Sequence, residues 1–132
     1  MGETMTKKKR ILLVDDEPAV LMVARKRLEI AGFEVVVASD GQDGIEKART
    51  QAPDLIILDL MLPKLNGYEV CTMLKQDLQS KQIPIIIFSA KTQEKDQQMA
   101  KECGADAYVP KPYRPDALLG HIHALLSTTS PC

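Results

Sequence analysis

The chain has 132 residues, 45% of them hydrophobic and 27% charged, and a formal net charge of −1. That length suits one domain around one core, and the balanced charge excludes the basic surplus that nucleic-acid or anionic-membrane binding draws on. Cys71, Cys103 and Cys132 show no metal-ligand spacing and leave one thiol unpaired in any pairing, which fits a reducing compartment; the first two read as small apolar packers and Cys132 as exposed and without a role.

Residues 1–8 read as a flexible leader, with Met5 an alternative start. The basic run ending at Arg10 is followed by only Ile11 to Val14, too short for the apolar part of a signal peptide. Met1-Gly2 with Thr6 matches an N-myristoylation pattern, but so short a pattern recurs by chance. No apolar run reaches the roughly 18 residues of a membrane span, and the chain is expected to be cytoplasmic.

Short aliphatic runs then alternate with helical spacing. Ile11–Val14, Glu34–Ala38, Leu55–Leu58, Ile83–Phe88 and Ala107–Val109 are continuous enough for strands covered on both faces. Between the first two, Val20, Val23, Ala24, Leu28 and Ala31 form a predicted apolar stripe, and Gly32 stops the helix. Further helices are predicted over Gly41–Arg49, Gly67–Gln79, Lys95–Cys103 and Pro115–Leu126, with Gly104 as a second stop and Gly67 serving the backbone near the third helix. Five such alternations predict a parallel sheet with helices on both faces. The Ser127–Cys132 segment reads as a frayed end or the start of a linker.

In a sheet of this kind, function gathers at the carboxyl ends of the strands. The first strand runs into Asp15-Asp16-Glu17, the third into Asp59, the fourth into Ser89-Ala90 and the fifth into Lys111-Pro112. Any one aspartate there would serve as an ordinary helix cap, and Glu17 reads as a residue of the first helical turn. Three aspartates in one crevice repel one another unless a cation neutralises them. With no histidine or cysteine beside them, the donors suit a hard cation such as magnesium rather than zinc. Asp59 could then act as a nucleophile toward a phosphoryl group, with Lys111 and Ser89 meeting its oxygens and the small Ala90 leaving it room. His121 and His123, two apart on one helix, do not share a face for a metal.

Ile11-Leu-Leu-Val-Asp-Asp-Glu17, Asp59-Leu-Met-Leu-Pro-Lys-Leu-Asn-Gly67, Ser89-Ala90, Gly104-Ala-Asp106 and Lys111-Pro112, in that order across residues 9–127, resemble the receiver domain of two-component response regulators. The resemblance implies an α/β flavodoxin-like (βα)5 three-layer sandwich, with its five-stranded parallel sheet in the order 2-1-3-4-5. It implies that a histidine kinase or histidine phosphotransfer protein phosphorylates Asp59. It further implies magnesium, replaceable by manganese, on Asp15, Asp16, Asp59 and the backbone carbonyl of Met61. Ser89 would be the switch hydroxyl, Ala90 and Lys111 its companions at the phosphoryl group, Tyr108 the switch aromatic, and Pro112 a structural cis-proline. The signal would appear as a population shift on the surface of the fourth helix, fifth strand and fifth helix, through which a phosphorylation-dependent dimer could also form. Such a domain is a signalling element and no enzyme beyond its own phosphoryl transfer and loss.

Two departures from the family pattern matter. Ala107, His121 and His123 stand where one dimerising class carries an aspartate and arginines, which puts that dimer's charge network in doubt. Met61 and Lys91 replace side chains suited to orienting an attacking water, so slow self-dephosphorylation is expected. The alternatives are a metal-dependent phosphatase or hydrolase using Asp59 as nucleophile, which would want an acid where Met61 stands, and a flavin-binding or structural module, which needs no acidic triplet. The partner reading the signal is a downstream effector protein or an output domain absent from these residues.

Overall fold

The computed structural model describes residues 8–62, 65–89, 94–111 and 115–128. Residues 1–7, Ala90, Lys91, Pro112 and residues 129–132, Cys132 among them, lie outside the described residues. Five strands, β1 (Arg10–Val14), β2 (Glu34–Ala38), β3 (Leu55–Asp59), β4 (Ile85–Ser89) and β5 (Ala107–Pro110), alternate with five helices, α1 (Pro18–Ile30), α2 (Gly41–Thr50), α3 (Gly67–Gln76), α4 (Glu94–Glu102) and α5 (Pro115–Thr128). All strand pairs are parallel and the order is β2-β1-β3-β4-β5, as expected for the (βα)5 sandwich. No helix among the described residues is long and apolar enough to cross a membrane.

The unbroken aliphatic runs follow from burial on two sides. All five residues of β3 and of β4 are buried, whereas the edge strands β2 and β5 each leave an end exposed. Alternation sends Leu12, Val14, Ile56, Leu58, Ile85 and Ile87 toward α2, α3 and α4. It sends Ile11, Leu13, Ile57, Ile86, Phe88 and Val109 toward α1 and α5.

Local chemistry sets the helix ends. Asp40 caps α2 by accepting the Asp43 N–H, and Asn66 with Glu69 forms a capping box at α3. Gly32 and Gly104 take φ of 101° and 97°, which fits their predicted role as stops.

Three expectations need correction. In α1, Val23 is 56% exposed and Ala31 is exposed too, while Ala24 and Leu28 are buried with Leu21 partly so. The stripe is phased on residues 21, 24 and 28, a 3–4 spacing that leaves position 23 to the side. Helix α3 ends at Gln76, not Gln79, because Asp77 turns to extended backbone and its carboxylate accepts the Gln79 N–H at 2.9 Å. Strand β4 begins at Ile85, not Ile83: the Ile83 N–H is committed to the Ser80 carbonyl, and Pro84 has no N–H for a ladder. The remaining ends shift by a residue or two.

Candidate functional site

Strand alternation builds the site before any charge is considered. Leu13 and Ile57 face the α1/α5 layer. Two positions on, Asp15 and Asp59 therefore emerge on that same side, where β1 and β3 end as hydrogen-bonded neighbours. Val109 faces the same layer, and Lys111 lies two residues beyond it. The Lys111 backbone N–H docks on the Ser89 carbonyl at 2.7 Å, bringing the β5 end against the end of β4.

Asp15 and Asp59 are held in the same way. One oxygen of each accepts the backbone N–H two residues later, from Glu17 at 2.9 Å and from Met61 at 3.2 Å. The other oxygen of each accepts from Lys111 Nζ, at 2.8 Å for Asp15 and 3.2 Å for Asp59. Such aspartate turns fix the carboxylate planes without help from a ligand. Asp15 is fully buried and Asp59 is 3% exposed, whereas Asp16 is exposed. One oxygen from each of the three falls within 4.8 Å of the others. This all-carboxylate set fits a divalent hard cation.

The β3–α3 connection depends on close backbone approach. A Cβ on Gly67 would lie 2.4 Å from the Asp59 carbonyl oxygen and 2.6 Å from Leu60 Cα. The Gly67 N–H instead reaches the Leu60 carbonyl at 2.8 Å, seating the start of α3 behind Asp59. The predicted backbone role of Gly67 thus has a steric cause.

Burial pushes the Asp59 carboxyl above the ordinary carboxylate value, and the charge of Asp15 adds to the rise; the Lys111 ammonium and the Met61 N–H offset only part. Burial by itself would lower Lys111, but its bond to Asp15 and the charges of Asp59 and Asp15 prevail, so its pKa lies above the ordinary lysine value. The two shifts look opposed, since Lys111 favours its charge while Asp59 resists its own. One ammonium gains from every carboxylate around it, whereas each carboxylate receives only a share of that ammonium and also feels its neighbours. The described residues thus bring more carboxylates than ammonium groups to this point.

Ser89 is fully buried at the end of β4, in register with Pro110 of β5. Tyr108 is half-buried in β5 and packs against the α2–α4 side of the core. The Met61 side chain is 57% exposed. His121 and His123 are both exposed on α5, and the His123 ring lies 5.8 Å from that of Phe33.

Two site neighbours escaped the sequence reading. Glu17 is the N-cap residue of α1, ahead of the first turn, and its carboxylate reaches 3.6 Å from Lys111 Nζ. Phe88 presents its ring to the same ammonium, 4.7 Å from Nζ to centroid. Glu17 stood in the acidic triplet and had a visible signal; Phe88 resembled one more apolar residue of a buried strand.

The chain is similar to known proteins along most of its length. The family model of the response regulator receiver domain matches residues 11–123. The alkaline phosphatase synthesis transcriptional regulatory protein PhoP of Bacillus subtilis is 44% identical over 118 residues, covering 89% of this chain and 48% of that protein. The DNA-binding response regulator MtrA of Mycolicibacterium smegmatis is 40% identical, covering 92% and 52%. The chain thus spans about half the length of the curated relatives it matches. A solved structure of a putative response regulator from Chloroflexus aurantiacus superposes with a TM-score of 0.88 at 30% identity, covering 92% of this chain and 99% of that one. The receiver domain of a Pseudomonas aeruginosa sensor histidine kinase, with a magnesium ion coordinated in its active-site cleft, superposes with a TM-score of 0.85 at 26% identity, covering 92% and 99%.

Proposed function

The chain belongs to the receiver domains of response regulators, and from that premise we propose that Asp59 is the residue that takes the phosphoryl group within a receiver spanning residues 9–127. The observation that carries the assignment is the convergence of Asp15, Asp16 and Asp59 with Lys111, which joins two of them directly. In this reading residues 1–8 are a leader, and residues 128–132 a tail or the start of a linker.

Asp15, Asp16, Asp59 and the Met61 carbonyl would hold magnesium, and manganese, another hard cation, suits the same oxygens. When bound, the ion supplies positive charge to the carboxylates and to the phosphoryl oxygens. The chain's own residues do the rest. An Asp59 oxygen lone pair forms the new O–P bond while the donor's bond to phosphorus breaks and its electron pair leaves with the donor. Lys111, already at the Asp59 oxygen, meets a phosphoryl oxygen there. Ser89 supplies the hydroxyl; Ala90 and Pro112, expected beside the phosphoryl group and as a structural proline, lie outside the described residues. Tyr108 follows Ser89 and carries the change to the surface of α4, β5 and α5. That surface is read by a downstream effector or output domain, or by a second copy in a phosphorylation-dependent dimer. The donor is a histidine kinase or phosphotransfer protein, and the setting is cytoplasmic.

Exposure of the protein to acetyl phosphate, with and without magnesium, tests this reading. One phosphoryl group per chain is expected, only with the divalent ion, and persisting well beyond seconds. Asp59→Asn is expected to abolish it. Turnover of many donor equivalents would favour a hydrolase instead, and unchanged labelling of the Asn variant would remove Asp59 from the reaction.

A further inference from the structure

We infer that Phe88 is a positioning residue for Lys111, holding its ammonium at the phosphoryl site through the face of the aromatic ring. The inference rests on the reading of Asp59 and Lys111 given above and extends it to a residue buried in the core.

Phe88 is 1% exposed and is the register partner of Asp59 across the β3–β4 pair, so the ring and the acceptor share one face of the sheet. The Lys111 backbone N–H is bonded to the carbonyl of Ser89, the next residue. From that anchor the lysine side chain brings Nζ to 4.7 Å from the ring centroid and within hydrogen-bond reach of Asp15 and Asp59. Among the described residues the ammonium meets the Asp15, Asp59 and Glu17 carboxylates and one ring.

These neighbours differ in what competes for them. Asp15 and Asp59 offer the oxygens that would hold the cation, and Asp59 is also the oxygen to be phosphorylated. Glu17, at 3.6 Å and with a side chain 63% exposed, is a loose and hydrated partner. The ring alone has no lone pair to give a hard cation and nothing to give a phosphoryl group. Its negative face attracts the ammonium whether or not the carboxylates are engaged. The Lys111 side chain is only 15% exposed, so little water weakens that attraction. An aliphatic side chain at position 88 would fill the core like Ile85, Ile86 and Ile87 before it, but would leave the lysine without this hold. Phe88 is one of only two phenylalanines in the chain.

Trifluorophenylalanine placed at position 88 of the full chain separates ring charge from packing, because fluorines drain the ring face while its shape is nearly kept. With acetyl phosphate and magnesium, the expected result is a phosphorylation rate lower by about 3- to 10-fold. Magnesium affinity, measured by calorimetry, should stay within about twofold. Phe88→Leu should lower the rate at least as far. In urea unfolding without metal or donor, fluorination should destabilise the protein that has Lys111 and have no effect in a Lys111→Met background. If fluorination leaves rate and stability unchanged while Phe88→Leu lowers both, Phe88 is a packing residue and the inference is overturned. If Lys111→Met does not fold, the rate and calorimetry arms decide alone. If the unmodified protein takes no phosphoryl group, the reading of Asp59 fails, and the unfolding cycle still decides Phe88.

Discussion

Two lysine–aspartate clusters sit at opposite ends of one sheet, built from the same groups at the same distance, and they differ in the charges around them. At the amino end of β4 and β5, Lys75 Nζ meets Asp106 Oδ2 at 3.2 Å and the Ile83 carbonyl at 2.8 Å, while that Asp106 oxygen also accepts the Ile85 N–H at 2.8 Å. One ammonium faces one carboxylate, and the charges cancel. At the carboxyl end, Lys111 meets Asp59 at the same 3.2 Å, but Asp15, Asp16 and Glu17 crowd the same space. The first cluster ties α3 to the start of two strands, and the stem of Lys75 lies where a side chain at Gly104 would stand, 2.9 Å from its Cβ. The second is left short of positive charge. An ion pair at a strand end is therefore uninformative by itself; the sign and size of the imbalance mark the end suited to a divalent cation.

Removing each lysine in turn tests that distinction. Lys111→Ala should slow phosphorylation by acetyl phosphate about 100-fold or more, the usual scale for losing a group aimed at developing charge. Lys75→Ala should leave that rate within about twofold and lower unfolding stability by about 1–2 kcal/mol, since Asp106 is part-exposed and keeps its backbone N–H. Equal effects of the two variants on the rate would erase the contrast between the ends.

The residues most legible from sequence were those whose chemistry was out of place. Asp15, Asp16, Asp59 and Lys111 stand directly after aliphatic runs, and charge in that position needs a reason even without coordinates. Five alternations were enough for a parallel sheet with helices on both faces, whereas the strand order followed only from the family resemblance that the motifs carry. What stayed hidden depended on competition or distance. The early end of α3 follows from the Asp77 carboxylate capturing a backbone N–H, a contest that helical spacing does not register. The phase of α1 is set by which of several apolar residues meets β1 and β2. Phe88 touches Lys111 only because β4 and β5 pair, and a phenylalanine ending a buried strand has no separate signature.

The carboxyl end should also betray its surplus charge through pH. Burial, then Asp15, raises the Asp59 carboxyl from 3.8, so between that value and its raised one the folded chain holds a proton the unfolded chain releases. Folding stability from this group therefore falls as pH rises through that window and stays lower above it. Asp59→Asn, in chelator, should melt higher than the parent above the window, with the gain shrinking as pH drops toward 3.8. Magnesium should raise the melting temperature of the parent and do little for the variant. A difference between the two proteins that did not change with pH would mean that charge is not what strains this end.

The amino end has a strain of its own, and it resides in the backbone. Ala52 has a φ of 47°, a left-handed conformation that costs a residue with a Cβ, and it precedes Pro53, which narrows its choices further. The Arg10 guanidinium donates to the Gln51 carbonyl, and the Arg10 and Asp54 backbones are tied through the Asp54 carboxylate at 2.7 Å, so the turn is clamped on both sides. Ala52→Gly removes the steric cost but gives the unfolded chain more freedom, and the two effects oppose. The steric term is the larger, so urea unfolding should show a gain of about 0.5–1 kcal/mol with no change in phosphorylation rate. Stabilisation at one end that leaves chemistry at the other untouched is what separate ends require. A slower phosphorylation in Ala52→Gly would show that the turn before β3 helps place Asp59 at its far end, and the division between the two regions would have to be redrawn along β3.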